Sequence, residues 1–231
     1  MILGIMQPYF FPYIGYYQLI NAVDQFVVYD NIKYTKKGWI NRNRLLQNGR
    51  DVTFSVPLKK ASDRLHISNR EISDDFDPTK LLNIFKGSYS KAPYYKGVSI
   101  LLEKILSYQN NNLFHYLHNS IIQTCEFLEI DTEILVSSEL DTNHSLTAEE
   151  RVISLCESVG AKSYVNPKGG IELYNKDHFS LSGIELKFLS TNRIEYKQFE
   201  EPFVSSLSIV DILMFNSKDT VSQLLAEYQL I

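Results

Sequence analysis

Apolar positions fall in short unbroken runs near the ends of the chain and at three- and four-residue spacing through its middle. At the N-terminus, "ILGIMQ" and "QFVVYD" lack alternation, which predicts strands covered on both faces of a parallel sheet. Between them "YYQLINAVD" predicts a helix, so the chain opens as a βαβ unit. The next segment, "NIKYTKKGWINRNRLLQNGRD", reads as a polar, basic connection, followed by "VTFSVPL" as a strand and "LHISNREI" as a short strand or turn.

A long helical section follows. "PTKLLNIFKGSYSKA", "GVSILLEKILSY" and "NNLFHYLHNSIIQTCEFLEI" carry the helical period, with Asp77 before Pro78 as a start signal. The last third alternates again: "TEILVSS", "KSYVN" and "IELKFLS" as strands, and "TAEERVISLCESVG" as a helix with Thr147 and Glu150 as a capping box and Gly160 at its stop. "LSIVDILMFNSKDTVSQLLAEY" predicts two short helices. The expected fold is α/β: a mostly parallel, Rossmann-like sheet with a helical insertion or layer around residues 77–130. With no repeat and no low-complexity linker, a single domain over 1–231 is expected.

At 231 residues and 44% hydrophobic composition the chain can bury a sizeable core. No run approaches the roughly 18 apolar residues of a membrane helix, and no basic stretch precedes the first apolar run, so no membrane insertion and a cytoplasmic location are expected. Cys125 and Cys156 fall inside predicted helices and read as buried thiols. No Cys or His pair has zinc-ligand spacing, and no metal is expected. Net charge is −4, yet residues 1–60 hold eight Lys and Arg against three Asp and Glu. That imbalance points either to an anionic ligand near the N-terminal segment or to a solvated basic face.

Candidate chemistry concentrates in two stretches. "QPYFFPYIGYY" (7–17) fills a strand-to-helix turn with aromatic residues where small polar ones are the rule. Ligands of open parallel sheets bind outside the carboxyl ends of strands. Gln7, Tyr9, Tyr13 and Tyr16 are therefore candidates for lining a site, Gly15 allows close backbone approach at the helix start, and Phe10, Phe11 and Tyr17 are expected to pack beneath. In "YDNIKYTKKGWINRN" (29–43), Asp30 is a candidate general base or a turn cap. Gln7 and Asn41 are candidates for positioning a carbonyl. Lys33, Arg42, Asn43 and Arg44 are candidates for binding a diphosphate or sugar, with Trp39, the only tryptophan, as a stacking surface. "NPKGGIELY" (166–174) either binds phosphate or merely turns, and Asp211 is either a structural partner of a Ser208 N-cap or a site residue.

"QPYFFPYIGYYQLINAVDQFVVYDNIKYTKKGWINRN", "SVPL" (55–58), "YSKAPYY" (89–95) and "LSIVDILMFN" (207–216) together resemble the WbqC-like protein family across essentially the whole chain. The resemblance implies a role in O-antigen or other surface-polysaccharide biosynthesis. There the expected activity is transfer of a glycyl, other aminoacyl, or acyl group to the amine of a nucleotide-linked amino sugar. It names no catalytic residues and no cofactor. Aminoacyl-tRNA, acyl-CoA and acyl carrier protein all remain open as donors. The alternatives are a non-catalytic binding module for a sugar nucleotide or carrier protein, and an ATP-using enzyme of nucleotidylyl-transferase type. In the latter "YIGY" (Tyr13 to Tyr16) would replace the usual histidine-bearing turn.

Overall fold

The computed structural model describes residues 1–200 and 202–231. Its sheet strands are β1 (Ile2–Met6), β2 (Gln25–Val28), β5 (Glu133–Val136), β6 (Ser163–Pro167), β7 (Glu185–Thr191) and β8 (Tyr228–Leu230). They lie in the order β5-β2-β1-β6-β7-β8, with every pair parallel except β7–β8. Counted along the chain among these six alone, the order is 3-2-1-4-5-6, that of a doubly wound dinucleotide-binding sheet. The fold is the expected mostly parallel α/β sheet, with an antiparallel last strand that the sequence reading did not foresee.

Both faces of the sheet are covered, which is why its first strands read as unbroken apolar runs. Leu3, Ile5 and Val27 point into a core shared with α5 (Ala148–Ser158) and α6 (Lys176–Leu181). Phe26 and Val28 point the other way, toward α1 (Ile14–Asn21) and the helical layer of α2 (Pro78–Tyr89), α3 (Tyr95–Leu106) and α4 (Leu113–Leu128). The layer falls where helical spacing placed it. Asp77 accepts from the Thr79 N–H at 2.9 Å with Pro78 in the first turn, so α2 starts as its sequence predicts. Thr147 precedes α5, but its side chain makes no capping bond, and the expected capping box does not form. Cys125 and Cys156 are buried, and desolvation pushes both thiols up to about 12, out of the nucleophilic range.

The basic connection is not merely a connection. Residues Arg42–Gln47 form β3, paired antiparallel with β4 (Arg50–Ser55) from Arg42↔Ser55 to Gln47↔Arg50. Asn48 and Gly49 at its tip have φ of 52° and 69°, the left-handed pair a two-residue hairpin turn requires.

This hairpin is pinned to the loop after β1. Asn43 Nδ2 donates to the carbonyls of Phe10 (3.2 Å) and Phe11 (2.7 Å), and the Phe10 N–H donates to the Ile40 carbonyl (2.9 Å). From the other side, Ser208 at the start of α7 (Ile209–Phe215) donates to the Phe11 carbonyl at 2.8 Å, and the Ile209 N–H bonds the Pro12 carbonyl at 2.9 Å. Phe11 sits at φ 44°, a left-handed conformation costing a bulky residue of the order of 1–3 kcal/mol. These bonds hold it there. Phe10, Phe11 and Tyr17 are fully buried, as expected.

A second lock joins the helical layer to the end of the chain. Asp211 in α7 accepts from Tyr89 Oη (2.8 Å), Tyr196 Oη (2.6 Å) and Gln198 Nε2 (2.8 Å), while Tyr89 Oη accepts from the Leu46 N–H in β3 (2.8 Å). The final helix, α8 (Lys218–Leu225), leads into β8. No helix among the described residues is long and apolar enough to cross a membrane.

Candidate functional site

In a sheet of this strand order the chain leaves β1 in one direction and β6 in the other, and the crevice opens between their carboxyl ends. Two clefts meet there, sharing Met6, Tyr9, Pro167 and Gly169.

The first, about 470 Å³, lies on the α1 side between that helix, the β3–β4 hairpin and the end of β7. Its polar groups are Asn43, Arg44, Lys168, Ser190, Thr191 and Ser206 together with the phenols of Tyr9, Tyr13 and Tyr16, and among the described residues no carboxylate lines it. Gly15 is forced by packing: a Cβ there would stand 2.7 Å from Thr191 Oγ1. The first turn of α1 consequently presses against the end of β7 at the cleft floor. Trp39 forms the rim and is 43% exposed, unusual for the largest side chain. The guanidinium carbons of Arg42 and Arg44 lie 5.7 and 5.4 Å from its ring centroid. Arg44 is further held by Asp51 (3.1 Å) and the Ser206 carbonyl (2.9 Å). Burial raises the Tyr9 and Tyr13 phenols above their ordinary value, so both are hydrogen-bond donors rather than phenolates at neutral pH.

The second cleft, about 550 Å³, lies on the opposite side, against α5 and the turn after β6. Tyr29, Tyr164 and Tyr174 supply its aromatic walls, Gln7 and Asn166 its amides, and Glu149 its only carboxylate. Glu149 accepts from the Asn175 N–H and from Nδ1 of His178. Burial opposes ionisation of Glu149, but these two donors outweigh it and the carboxyl titrates below its ordinary range. Gly170 is dictated by its surroundings, since a Cβ there would fall 2.0 Å from Asn166 Nδ2. Gly170→Ala should therefore displace Asn166 or open the turn. We expect a melting temperature lowered by several degrees, as for roughly 1–3 kcal/mol of overpacking, checked by thermal denaturation.

Of the residues singled out from sequence, Gln7, Tyr9, Tyr13, Gly15, Tyr16, Trp39 and Asn43 line one or both clefts. Tyr16 Oη donates to the Gln7 carbonyl at 3.0 Å, fixing the entrance to the loop. The other five lie elsewhere. Asp30 is 1% exposed, and its Oδ1 accepts from Ser137 Oγ (2.9 Å) and the Ser138 N–H (3.0 Å), so it anchors the turn after β5 and lines neither cleft. Asn41 is spent on Tyr34 Oη and the Val56 carbonyl, both at 2.7 Å. Arg42 wraps its own loop through the Gly38 and Lys37 carbonyls at 3.0 and 2.7 Å, and reaches the site only by backing Trp39. Lys33 is exposed and bridges to His66. Asp211 is the hub of the lock described above. Arg44, a diphosphate candidate from the sequence, does line the first cleft, and Lys168, Glu149 and His178 join it at the site. The glycine pair in "NPKGGIELY" was the sequence's pointer to this turn, whereas nothing local marks Glu149, whose partner His178 lies in α6.

The model of the WbqC-like protein family matches residues 7–223. The chain belongs to the WbqC-like protein family. Apart from Ile5 and Met6, the residues lining both clefts fall within the matched span. The chain is also similar to the uncharacterized protein Rv1507c of Mycobacterium tuberculosis, with 28% identity over 214 residues covering 91% of each chain. No solved structure matches this WbqC-like protein.

Proposed function

We propose that this WbqC-like protein is a transferase that places an acyl or aminoacyl group, such as glycyl, on the amine of a nucleotide-linked amino sugar used in surface-polysaccharide synthesis. The observation that carries the reading is the first cleft: an exposed tryptophan backed by two arginines, two lining cations and no carboxylate, at the switch point of a doubly wound sheet. A nucleoside diphosphate sugar complements each part. Its base stacks on Trp39, its diphosphate meets Arg44 and Lys168, and its sugar hydroxyls bond Ser190, Thr191 and the tyrosines. The shared wall at Tyr9 and Gly169 would then bring the sugar toward the second cleft. In the transfer itself the amine nitrogen bonds to the activated carbonyl carbon of the donor, the donor's leaving group departs, and the nitrogen gives up a proton. Gln7, at the end of β1, stands where its amide can hold the carbonyl oxygen. Asp30 and Asn41, engaged elsewhere, have no part in this step. Aminoacyl-tRNA, acyl-CoA and an acyl carrier protein all bring the required activated carbonyl.

The test is product mass after incubating the protein with UDP- or dTDP-linked amino sugars and each donor class. Growth of the sugar nucleotide by one acyl or glycyl unit is the expected result, and no product with any pairing counts against the reading. A second reading, an ATP-using nucleotidylyl transferase, is favoured by one feature. The start of α1 lines the first cleft, where helix N–H groups can meet a triphosphate. Magnesium-dependent pyrophosphate release from ATP, without acyl transfer, would select it. A protein that binds sugar nucleotides and turns over nothing would be the binding module instead.

A further inference from the structure

The two clefts are sorted by charge. Among the described residues, Arg44 and Lys168 line the first with no carboxylate, whereas Glu149 lines the second with no lysine or arginine. Glu149 stands on a wall of aromatic, apolar and amide side chains, where donors that compensate partial desolvation keep a carboxylate charged. Here the Asn175 N–H and the His178 ring hold it ionised, each taking one of its oxygens and leaving lone pairs on both. Among the described residues the guanidinium over that wall is Arg151, 5.2 Å from the Tyr29 ring centroid; it is not among the residues lining the cleft, and its two terminal nitrogens bond the His144 carbonyl and ring nitrogen. What remains is a carboxylate with free lone pairs beside the half-buried rings of Tyr29 and Tyr174, surroundings that favour a compact organic cation.

We infer that the second cleft is a binding site for a primary amine, its ammonium group paired with Glu149 between the tyrosine rings. The cleft is larger than the first and joins it at Tyr9 and Gly169, so the amine can belong either to a sugar whose nucleotide occupies the first cleft or to a separate small molecule. The sugar alternative rests on the nucleotide reading above. The separate-molecule alternative does not. His178 acts through Glu149 and is a positioning residue.

The experiment compares matched ligands that differ by the amine, using saturation-transfer NMR titrations of the full chain. One arm sets UDP-glucosamine against UDP-glucose, and the other sets glycinamide against acetamide. Each is run on the wild type, on Glu149→Gln, and on Leu173→Arg. The last places a cation at the cleft mouth on a side chain that is 70% exposed and should leave folding intact. In the wild type the amine-bearing member of at least one pair should bind about tenfold tighter, the scale of one charge-assisted hydrogen bond. That preference should vanish in both variants, while UDP-glucose binding stays unchanged. A preference in the first arm assigns the amine to the sugar, and one in the second assigns it to a separate molecule. Equal affinities within both pairs, or a preference that survives Glu149→Gln, would overturn the inference. If neither UDP-sugar binds but the glycinamide preference holds, the amine site stands and the nucleotide reading falls. If both UDP-sugars bind equally and glycinamide is not preferred, the reverse follows.

Discussion

Asp211→Ala is expected to destabilise the protein by roughly 3–5 kcal/mol, enough to remove much of the stability of an ordinary domain. The substitution leaves Tyr89 Oη, Tyr196 Oη and Gln198 Nε2 without their acceptor in a buried pocket. It also loosens Tyr89, which accepts from the Leu46 N–H and so carries the effect into β3. Asp211→Asn should recover only part of the loss, because an amide offers one acceptor oxygen and turns its NH₂ toward groups that are themselves donors. The pH dependence distinguishes this lock from an ordinary surface carboxylate. Burial raises the Asp211 carboxyl above its usual value of 3.8, against the pull of its three hydrogen bonds. A folded-state pKa above the unfolded one means that folding takes up a proton. The associated stability is full below about 3.8 and is lost as pH rises through the folded value. Urea unfolding across that range should show this downward slope in the wild type and not in Asp211→Asn.

Trp39→Ala should weaken binding of a nucleotide-linked sugar by about 10- to 100-fold, the worth of one base stacked on an aromatic ring. Because Trp39 is 43% exposed, its loss should cost little stability, so calorimetric affinity and melting temperature should separate cleanly. Arg44→Ala should weaken the same ligand and, by freeing Asp51 and the Ser206 carbonyl, also loosen the rim of the cleft. If both variants bind as the wild type does, the basic, aromatic rim is not where the nucleotide lies.

The fold was legible where packing on two faces writes itself into the chain as apolar runs, as in β1 and β2. Of the hairpin, β4 overlaps the strand expected at "VTFSVPL", whereas β3 went unforeseen for an identifiable reason. A strand carrying Arg42, Asn43 and Arg44 shows little apolar alternation, and its inward position holds an asparagine because that side chain must satisfy the loop carbonyls of Phe10 and Phe11. The Asn48–Gly49 pair announced the turn all the same. Asp30 shows the limit of local reading. It lies just beyond β2 as expected, but its Oδ1 is engaged by Ser137 and Ser138, more than a hundred residues away in sequence, and it lines neither cleft. The same distance effect hid Glu149, which becomes a site candidate only when α6 brings His178 beside it. The aromatic loop after β1 divides its work: Phe10 and Phe11 support the core, and Tyr9 and Tyr13 face the cleft.

The central claim, that the first cleft holds a nucleotide-linked sugar, can be read from the protein's only tryptophan, because Trp39 forms its rim. The decisive measurement is a titration of intrinsic tryptophan fluorescence with UDP- and dTDP-linked sugars, with and without an amine. Saturable quenching whose apparent affinity is weakened in Arg44→Ala is the predicted result. Fluorescence unchanged by any sugar nucleotide, in a protein shown to be folded, would contradict it.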